Sequence, residues 1–256
     1  MIRSFIELLD EQNAILALAI HNGHEMHPEL LKVCGITEAD RLREEDPYTD
    51  AFTEPFPNKI VVYTSRFTVD LNRNRDKAVY LTPDDCWGLN ARTTRLSDDL
   101  ITELNHDYGQ WYSLLTFTIQ RLLAKHDFIT VLDLHSYNHR RQGPNATPDA
   151  QINNPDIILG RNNMPVAYYP WVDNLCMELN NKTIMNHTLD TRIDVKFTGG
   201  NLSRWLHHTF PGKVRCVAVE FKKIFMDEWS GSLDKEFQNE LSRTFHQVVC
   251  NCNKWD

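Results

Sequence analysis

Phe128-Ile129-Thr130-Val131-Leu132-Asp133-Leu134-His135-Ser136 reads as a strand of a parallel sheet covered on both faces. It is a near-continuous apolar run of strand length, and a helical pattern over about 98–125 leads into it. Asp133 interrupts the run and His135-Ser136 ends it. In open α/β sheets, ligands occupy the crevice beyond the carboxyl ends of the strands, which is where His135 falls. Residues two apart share a strand face, so Asp133 points the same way as His135 from about 6.6 Å further back. Ala14-Ile15-Leu16-Ala17-Leu18-Ala19-Ile20 is a second buried strand, and His21-Asn22-Gly23-His24 follows it. A lone strand-end histidine is ordinarily a satisfied structural residue. Two of them suggest a metal, because a catalytic zinc takes three protein ligands, imidazoles and often a carboxylate, and keeps one position open.

The 256 residues suit one large α/β domain, 1–256, with a substantial core. Hydrophobic content of 41% and charged content of 24% are ordinary for a soluble globular protein. A net charge of −8, with no basic stretch beyond short groups such as Arg140-Arg141, argues against a nucleic-acid partner. The start, Met1 to Glu7, lacks a basic region followed by an apolar run and a cleavage site. The run at 14–20 is too short to span a bilayer, so the expectation is a cytoplasmic protein without a membrane partner. Oligomeric state is left open. None of the 6 cysteines forms a C-x-x-C pair, and a chain this large needs no disulfide framework. Cys176 and Cys216 read as buried thiols, and Cys250-Asn251-Cys252 as either a metal-binding pair or a frayed helix end.

Along the chain, Ile2 to Leu9 reads as a short helix or an edge strand. Pro28 opens a short helix, and Thr37-Glu38-Ala39-Asp40 carries an N-cap signature. In Arg43-Glu44-Glu45-Asp46-Pro47-Tyr48-Thr49-Asp50, Pro47 reads as the first helical residue, with Asp46 as N-cap and Asp50 one turn on. Lys59 to Tyr63 is a strand. From Phe67 to Arg75 an alternation puts Thr68, Asp70 and Asn72 on one face. Arginine's planar fork suits a carboxylate or phosphate, so Arg66 and Arg73 are candidate anion binders, with an ion pair to Asp70 as the plainer reading. Residues 76–97 read as a long surface loop, and 138–154 as a loop over the strand ends. A strand from Leu189 to Phe197 precedes Gly199-Gly200, which open a helix at Asn201 close enough to meet an anion. Val214 to Phe221 is the last core strand and places Glu220 at its end; Lys222 and Lys223 read as surface charges. A closing helix runs over about 233–249.

Together these pieces resemble the N-formylglutamate amidohydrolase family, zinc amidohydrolases distantly similar to zinc carboxypeptidases and aspartoacylase-type deacylases. The resemblance rests on His21-Asn22-Gly23 through Pro28-Glu29-Leu30, the block from Asp46 to Asp50, and Ser65-Arg66-Phe67 through Asp70-Leu71-Asn72-Arg73. It continues with Asp133-Leu134-His135-Ser136, Gly199-Gly200 with Arg204, and Glu220 followed by Met226-Asp227-Glu228. It implies a zinc-carboxypeptidase-like α/β fold, a mixed and mainly parallel sheet flanked by helices, and Zn2+ bound by His21 and His135. The related carboxypeptidases place a glutamate three residues after the first histidine; here that position is His24, and Glu25 comes one later. The family's acidic block makes Asp46 the expected third ligand, ahead of Glu25 and His24. By the same resemblance Glu220 is the general base and acid, and Asn72 and Arg73 hold a substrate carboxylate. Arg66 or Arg204 would stabilise the oxyanion or bind substrate.

The expected activity is zinc-dependent hydrolysis of the amide of an N-acyl amino acid, a small-molecule carboxylate. A zinc peptidase or peptidoglycan-type amidase would need a wider cleft, which the 138–154 loop could open or close. A non-catalytic carboxylate-binding relative would lack the metal.

Overall fold

The protein's structure, a computed structural model, describes residues 1–253. Its strands are β1 (Ser4–Leu8), β2 (Ile15–Ala19), β3 (Asn58–Val62), β4 (Ile129–Tyr137), β5 (Ile157–Gly160), β6 (Thr183–Ile184), β7 (His187–Thr188), β8 (Thr191–Ile193) and β9 (Val214–Lys222). Among the described residues seven strands form one sheet, ordered β1-β3-β2-β4-β9-β5-β8, and β6 and β7 form a separate hairpin. The four central strands, β3, β2, β4 and β9, run parallel. β1 adds antiparallel to β3, and β5 adds antiparallel to β9, so the sheet is mixed and mainly parallel.

Helices α1 (Pro28–Lys32), α2 (Glu38–Glu44), α3 (Asp50–Thr53), α4 (Asp98–Leu123), α5 (Tyr169–Asn180), α6 (Asn201–Thr209) and α7 (Lys235–Cys252) flank it. Ser97 caps α4 by accepting from the Leu100 amide at 3.2 Å, and Thr37 caps α2 through the Asp40 amide at 3.1 Å. Alternation along β2 divides the core. Leu16 and Leu18 pack with Trp111, Leu115 and Ile119 of α4 and Leu202 and Leu206 of α6 on one face. Ile15 and Ala17 pack with Phe52 of α3, Leu175 of α5 and Phe245 of α7 on the other. Both faces are covered, which is why β2 is apolar at every position, and β4 at most positions up to Leu134, rather than at every second one.

Several expectations change. The stretch from Phe67 to Arg75 is a chain of turns rather than an alternating strand, held by bonds such as Thr68 N–H to Ser65 C=O at 2.8 Å. Pro47 does not open a helix: Tyr48 takes a left-handed φ of 65°, and α3 starts at Asp50. The strand read at Leu189–Phe197 shrinks to Thr191–Ile193, because Asp194 turns away with φ of 53°. The 76–97 loop is only partly superficial, since Tyr80, Cys86 and Ala91 pack with Phe67 in a small third core. Lys222 and Lys223 are buried. Lys222 pairs with Asp156 at 2.6 Å, and Lys223 donates to the Arg43 and Glu45 carbonyls at 2.7 and 2.8 Å. Ile2–Leu9 resolves as the edge strand β1, and Cys250 to Cys252 close α7 in helical form. Cys216 is buried and Cys176 half-buried.

Candidate active site

The chain goes from β2 outward to β3, then crosses back to β4 on the other side of β2. That reversal is a topological switch point, where open sheets bind ligands. Leu18 of β2 lies opposite Asp133 of β4, so both strands deliver their histidines to the same crevice. His21 follows β2 directly. The turn behind it needs Gly23, because a Cβ there would sit 2.1 Å from the Tyr63 carbonyl carbon at the end of β3. Asp46 is brought in by the turn before α3, where its amide donates to the His21 carbonyl at 3.0 Å.

His21, Asp46 and His135 are all buried, with ligand atoms within 4.8 Å of one another. Asp46 Oδ2 lies 3.0 Å from His135 Nδ1 and 3.5 Å from His21 Nδ1. The far ring nitrogens are held by two further carboxylates. Asp133 Oδ1 lies 2.8 Å from His135 Nε2, and Asp70 Oδ1 lies 2.8 Å from His21 Nε2. A carboxylate at Nε2 keeps the ring proton there and turns the Nδ1 lone pair inward. Two lone pairs facing a carboxylate repel unless a cation sits among them. A tetrahedral zinc, with bonds of about 2.0–2.2 Å, spaces its ligand atoms by roughly 3.3 Å. The two Asp46 separations bracket that value, and His21 Nδ1 finds no hydrogen-bond partner among the described residues. The residues fit a zinc ion. Without one, a proton takes its place: burial alone would lower the His135 pKa, yet Asp133 and Asp46 lift it well above its ordinary value.

Asp70 is the hub of the turn segment. Burial opposes its charge, but Arg66, His21 and Tyr80 hold it well below the usual carboxylate range. Arg66 Nη2 donates to Asp70 Oδ2 at 2.9 Å, and its guanidinium lies 4.7 Å from the Trp87 ring centroid. Arg73 is looser, with Nε 3.7 Å from Asp70 Oδ2 and Nη2 donating to the Asp85 carbonyl at 3.2 Å. Asn72 Oδ1 accepts from the Leu202 amide at 2.9 Å, which ties this segment to the start of α6. Gly200 is glycine for that reason: a Cβ would meet Asn72 Oδ1 at 2.2 Å.

Glu220 lies opposite His135 in the β4–β9 register. Its carboxylate accepts no hydrogen bond from a described residue. Burial pushes it up to about 8, with Asp46 and Asp133 adding to the rise and His135 opposing it. A cavity of about 310 Å³ is lined by His21, Asp46, His135, Glu220, Arg66, Asn72 and Arg73. Arg204 is not among its lining residues; it sits exposed on α6. Neither alternative third ligand joins the cluster. His24 Nδ1 pairs with Glu45 Oε2 at 2.5 Å, and Glu25 is taken by Arg3.

Asp70 and Asp133 were not foreseen as partners of the histidines. The signal for Asp133 was present, a lone acid in an apolar strand two residues before His135. Lys223, Arg43, Arg141 and Lys196, which also line the cavity, carried no comparable signal. No helix among the described residues is long and apolar enough to cross a membrane.

No curated protein matches the chain in sequence. The fold superposes on an N-formylglutamate amidohydrolase from Ralstonia eutropha JMP134 with a TM-score of 0.76, at 16% identity and over 97% of each chain. It also superposes on a gene product of Agrobacterium tumefaciens with a TM-score of 0.70, at 13% identity, over 98% of this chain and 96% of that one. Those identities speak to fold alone. Residues 13–226 match the sequence pattern described as N-formylglutamate amidohydrolase, which is most of the chain. On that match, this chain belongs to the N-formylglutamate amidohydrolase family.

Proposed function

We propose that the chain is a zinc-dependent amidohydrolase that cleaves the amide of an N-acyl amino acid of the N-formylglutamate type. The observation that carries this reading is the buried His21–Asp46–His135 cluster, its histidines oriented by Asp70 and Asp133, with an unpaired Glu220 beside it. When bound, zinc supplies Lewis-acid polarisation of the amide carbonyl and a water of lowered pKa.

The chain's own groups do the rest. Glu220 takes a proton from the attacking water and returns it to the leaving amine nitrogen. A carboxyl group at about 8 is matched to that exchange near neutral pH. Arg66, fixed by Asp70 and braced by Trp87, is placed to stabilise negative charge developing on the carbonyl oxygen. Arg73 holds the substrate carboxylate. The Asn72 side-chain carbonyl is already engaged, so its role is to set the geometry of the loop that carries Arg73, with its amide nitrogen turned toward the cavity. The test is a hydrolysis screen of N-acyl amino acids with zinc-loaded protein. Release of free amino acid is expected, and its absence across formyl, acetyl and longer acyl groups would refute the reading.

Two further outcomes are expected. Asp133→Asn should weaken zinc binding by about 10–100-fold, the usual effect of losing a carboxylate that orients a ligating histidine. Chelator competition measures this, and unchanged affinity would mean that Asp133 does not orient His135. Arg73→Lys should lose nearly as much kcat/KM as Arg73→Ala, about 1.5–3 kcal/mol, because an ammonium cannot reproduce a bidentate guanidinium contact. Assaying each variant with the acid and with its amidated analogue completes a double-mutant cycle. Additive losses would release Arg73 from the carboxylate and leave Arg66 as the candidate.

A further inference from the structure

Leu71, Asn72 and Arg73 lie in the turn segment after β3, where no strand ladder or helix receives their carbonyls. A carbonyl taken out of water needs a partner, and these three find theirs on elements distant in the chain. The Tyr112 hydroxyl donates to the Leu71 carbonyl at 2.7 Å, and the Tyr108 hydroxyl to the Arg73 carbonyl at 2.9 Å. Between them the Asn201 backbone amide donates to the Asn72 carbonyl at 3.3 Å. Three consecutive carbonyls are thus held by donors from α4 and α6.

The donors are themselves linked. Tyr108 and Tyr112 stand one turn apart on α4, a spacing that puts two side chains on one helix face, and their ring centroids lie 4.6 Å apart. The Asn201 side-chain amide donates to both hydroxyl oxygens, at 3.3 Å to Tyr108 and 3.1 Å to Tyr112. Each hydroxyl accepts that bond and directs its own proton at a carbonyl of the turn. Burial raises the pKa of both phenols, which keeps them donors. The Trp205 ring of α6 meets Tyr112 edge-on at 4.7 Å between centroids. None of Tyr108, Tyr112 and Asn201 lines the active-site cavity. Arg73 does, and its partly exposed side chain is only loosely tied to Asp70. With so loose a side chain, the aim of the guanidinium depends on the backbone that carries it. A turn without these donors is free to rotate its peptide units and re-aim the arginine.

We propose that Tyr108, Tyr112 and Asn201 are positioning residues, a brace outside the cavity that fixes the direction in which Arg73 meets the substrate carboxylate. This rests on the reading of Arg73 given above. It assigns a part in substrate recognition to three side chains that do not face the substrate.

The test compares Tyr108→Phe and Tyr112→Phe with the wild type, each zinc-loaded, on an N-acyl amino acid and on its amidated analogue. Phenylalanine keeps the ring packing and removes only the donor. For the acid, KM should rise about 3–10-fold, the scale of one lost hydrogen bond, while kcat changes little. For the amidated analogue both constants should change little, and zinc content by atomic absorption should stay stoichiometric. In an Arg73→Ala background the effect of Tyr108→Phe on the acid should vanish, because no guanidinium remains to be aimed. Asn201→Ala removes the donor to both hydroxyls, keeps the backbone amide and should raise KM for the acid in the same selective way; it serves where a phenylalanine variant is unstable. A merely structural role would penalise acid and amide alike. Equal losses on the two substrates, an unchanged KM in the variants, or a Tyr108→Phe loss that persists without Arg73 each overturn the brace and leave the reading of Arg73 standing. If Arg73→Ala itself penalises acid and amide equally, or if no N-acyl amino acid is hydrolysed, the underlying reading falls and the brace falls with it.

Discussion

Replacing His135 with alanine is expected to abolish zinc binding and turnover together. In the proposed centre the imidazole supplies one of three ligand atoms, and its partners are too firmly held to replace it. Asp46 is pinned through its amide to the His21 carbonyl, and His21 is pinned by Asp70. The substitution also removes the hydrogen-bond donor to Asp133, which is fully buried and whose other oxygen has no hydrogen-bond partner among the described residues. A buried charge that loses its partner costs about 3–5 kcal/mol, so a loss of fold could imitate a loss of metal. His135→Gln keeps an N–H within reach of Asp133 and should stay folded while still losing zinc. Metal content by atomic absorption, read beside the thermal midpoint, separates the two. Near-stoichiometric zinc in a folded His135→Gln chain would dismiss the assigned centre. Asp46→Ala should weaken zinc at least tenfold; full zinc there, with loss in Glu25→Ala or His24→Ala, would move the third ligand.

Glu220→Gln should leave zinc in place and lower kcat by about 10²-fold or more, the contribution of a general base and acid. The amide has the shape of the carboxyl group but cannot accept the proton. KM should change little, because no substrate contact is assigned to this side chain. Near-normal turnover would remove Glu220 from the mechanism. The metal-free protein offers an independent reading. In the folded chain Glu220 stays protonated up to about 8, whereas in the unfolded chain it ionises near its ordinary 4.5. Unfolding then releases a proton between those values, so this group's stabilising effect is present below about pH 4.5 and is lost as pH rises through about 8. Glu220→Gln should flatten that part of the stability curve, and an unchanged slope would show that the carboxyl group is not buried as described.

The strands of this site were legible because burial on both faces leaves an apolar run that few other environments produce. The runs at 14–20 and 128–134 mark β2 and β4, and the polar residues that end them mark the crevice. The helix cap at Thr37 was legible for a similarly local reason, a side chain that bonds an amide three residues on. The segment from Phe67 to Arg75 was not. Alternation over nine residues suits a strand, but Asp70 is drawn under His21, Arg66 and Tyr80, and the backbone turns to put it there. Lys223 misled in the same way. A lysine after a strand usually reaches water, and only the Arg43 and Glu45 carbonyls, distant in sequence, make its burial possible.

By itself, then, the sequence determined the class of fold, the two histidine-bearing strands, the acid at the end of β9 and, through its ordered motifs, the family. These follow from patterns within a few residues of one another. Only the tertiary structure brought Asp46 rather than Glu25 or His24 beside the two histidines, set Asp70 and Asp133 against their far ring nitrogens, and kept Arg204 out of the cavity lining. It alone decided that Arg141 and Lys196 share a cavity with Glu220. Those choices depend on which turn crosses which strand end. Turns of Asp46, Asp70 and Lys196 are set by hydrogen bonds to residues far away in the chain, which no local pattern records.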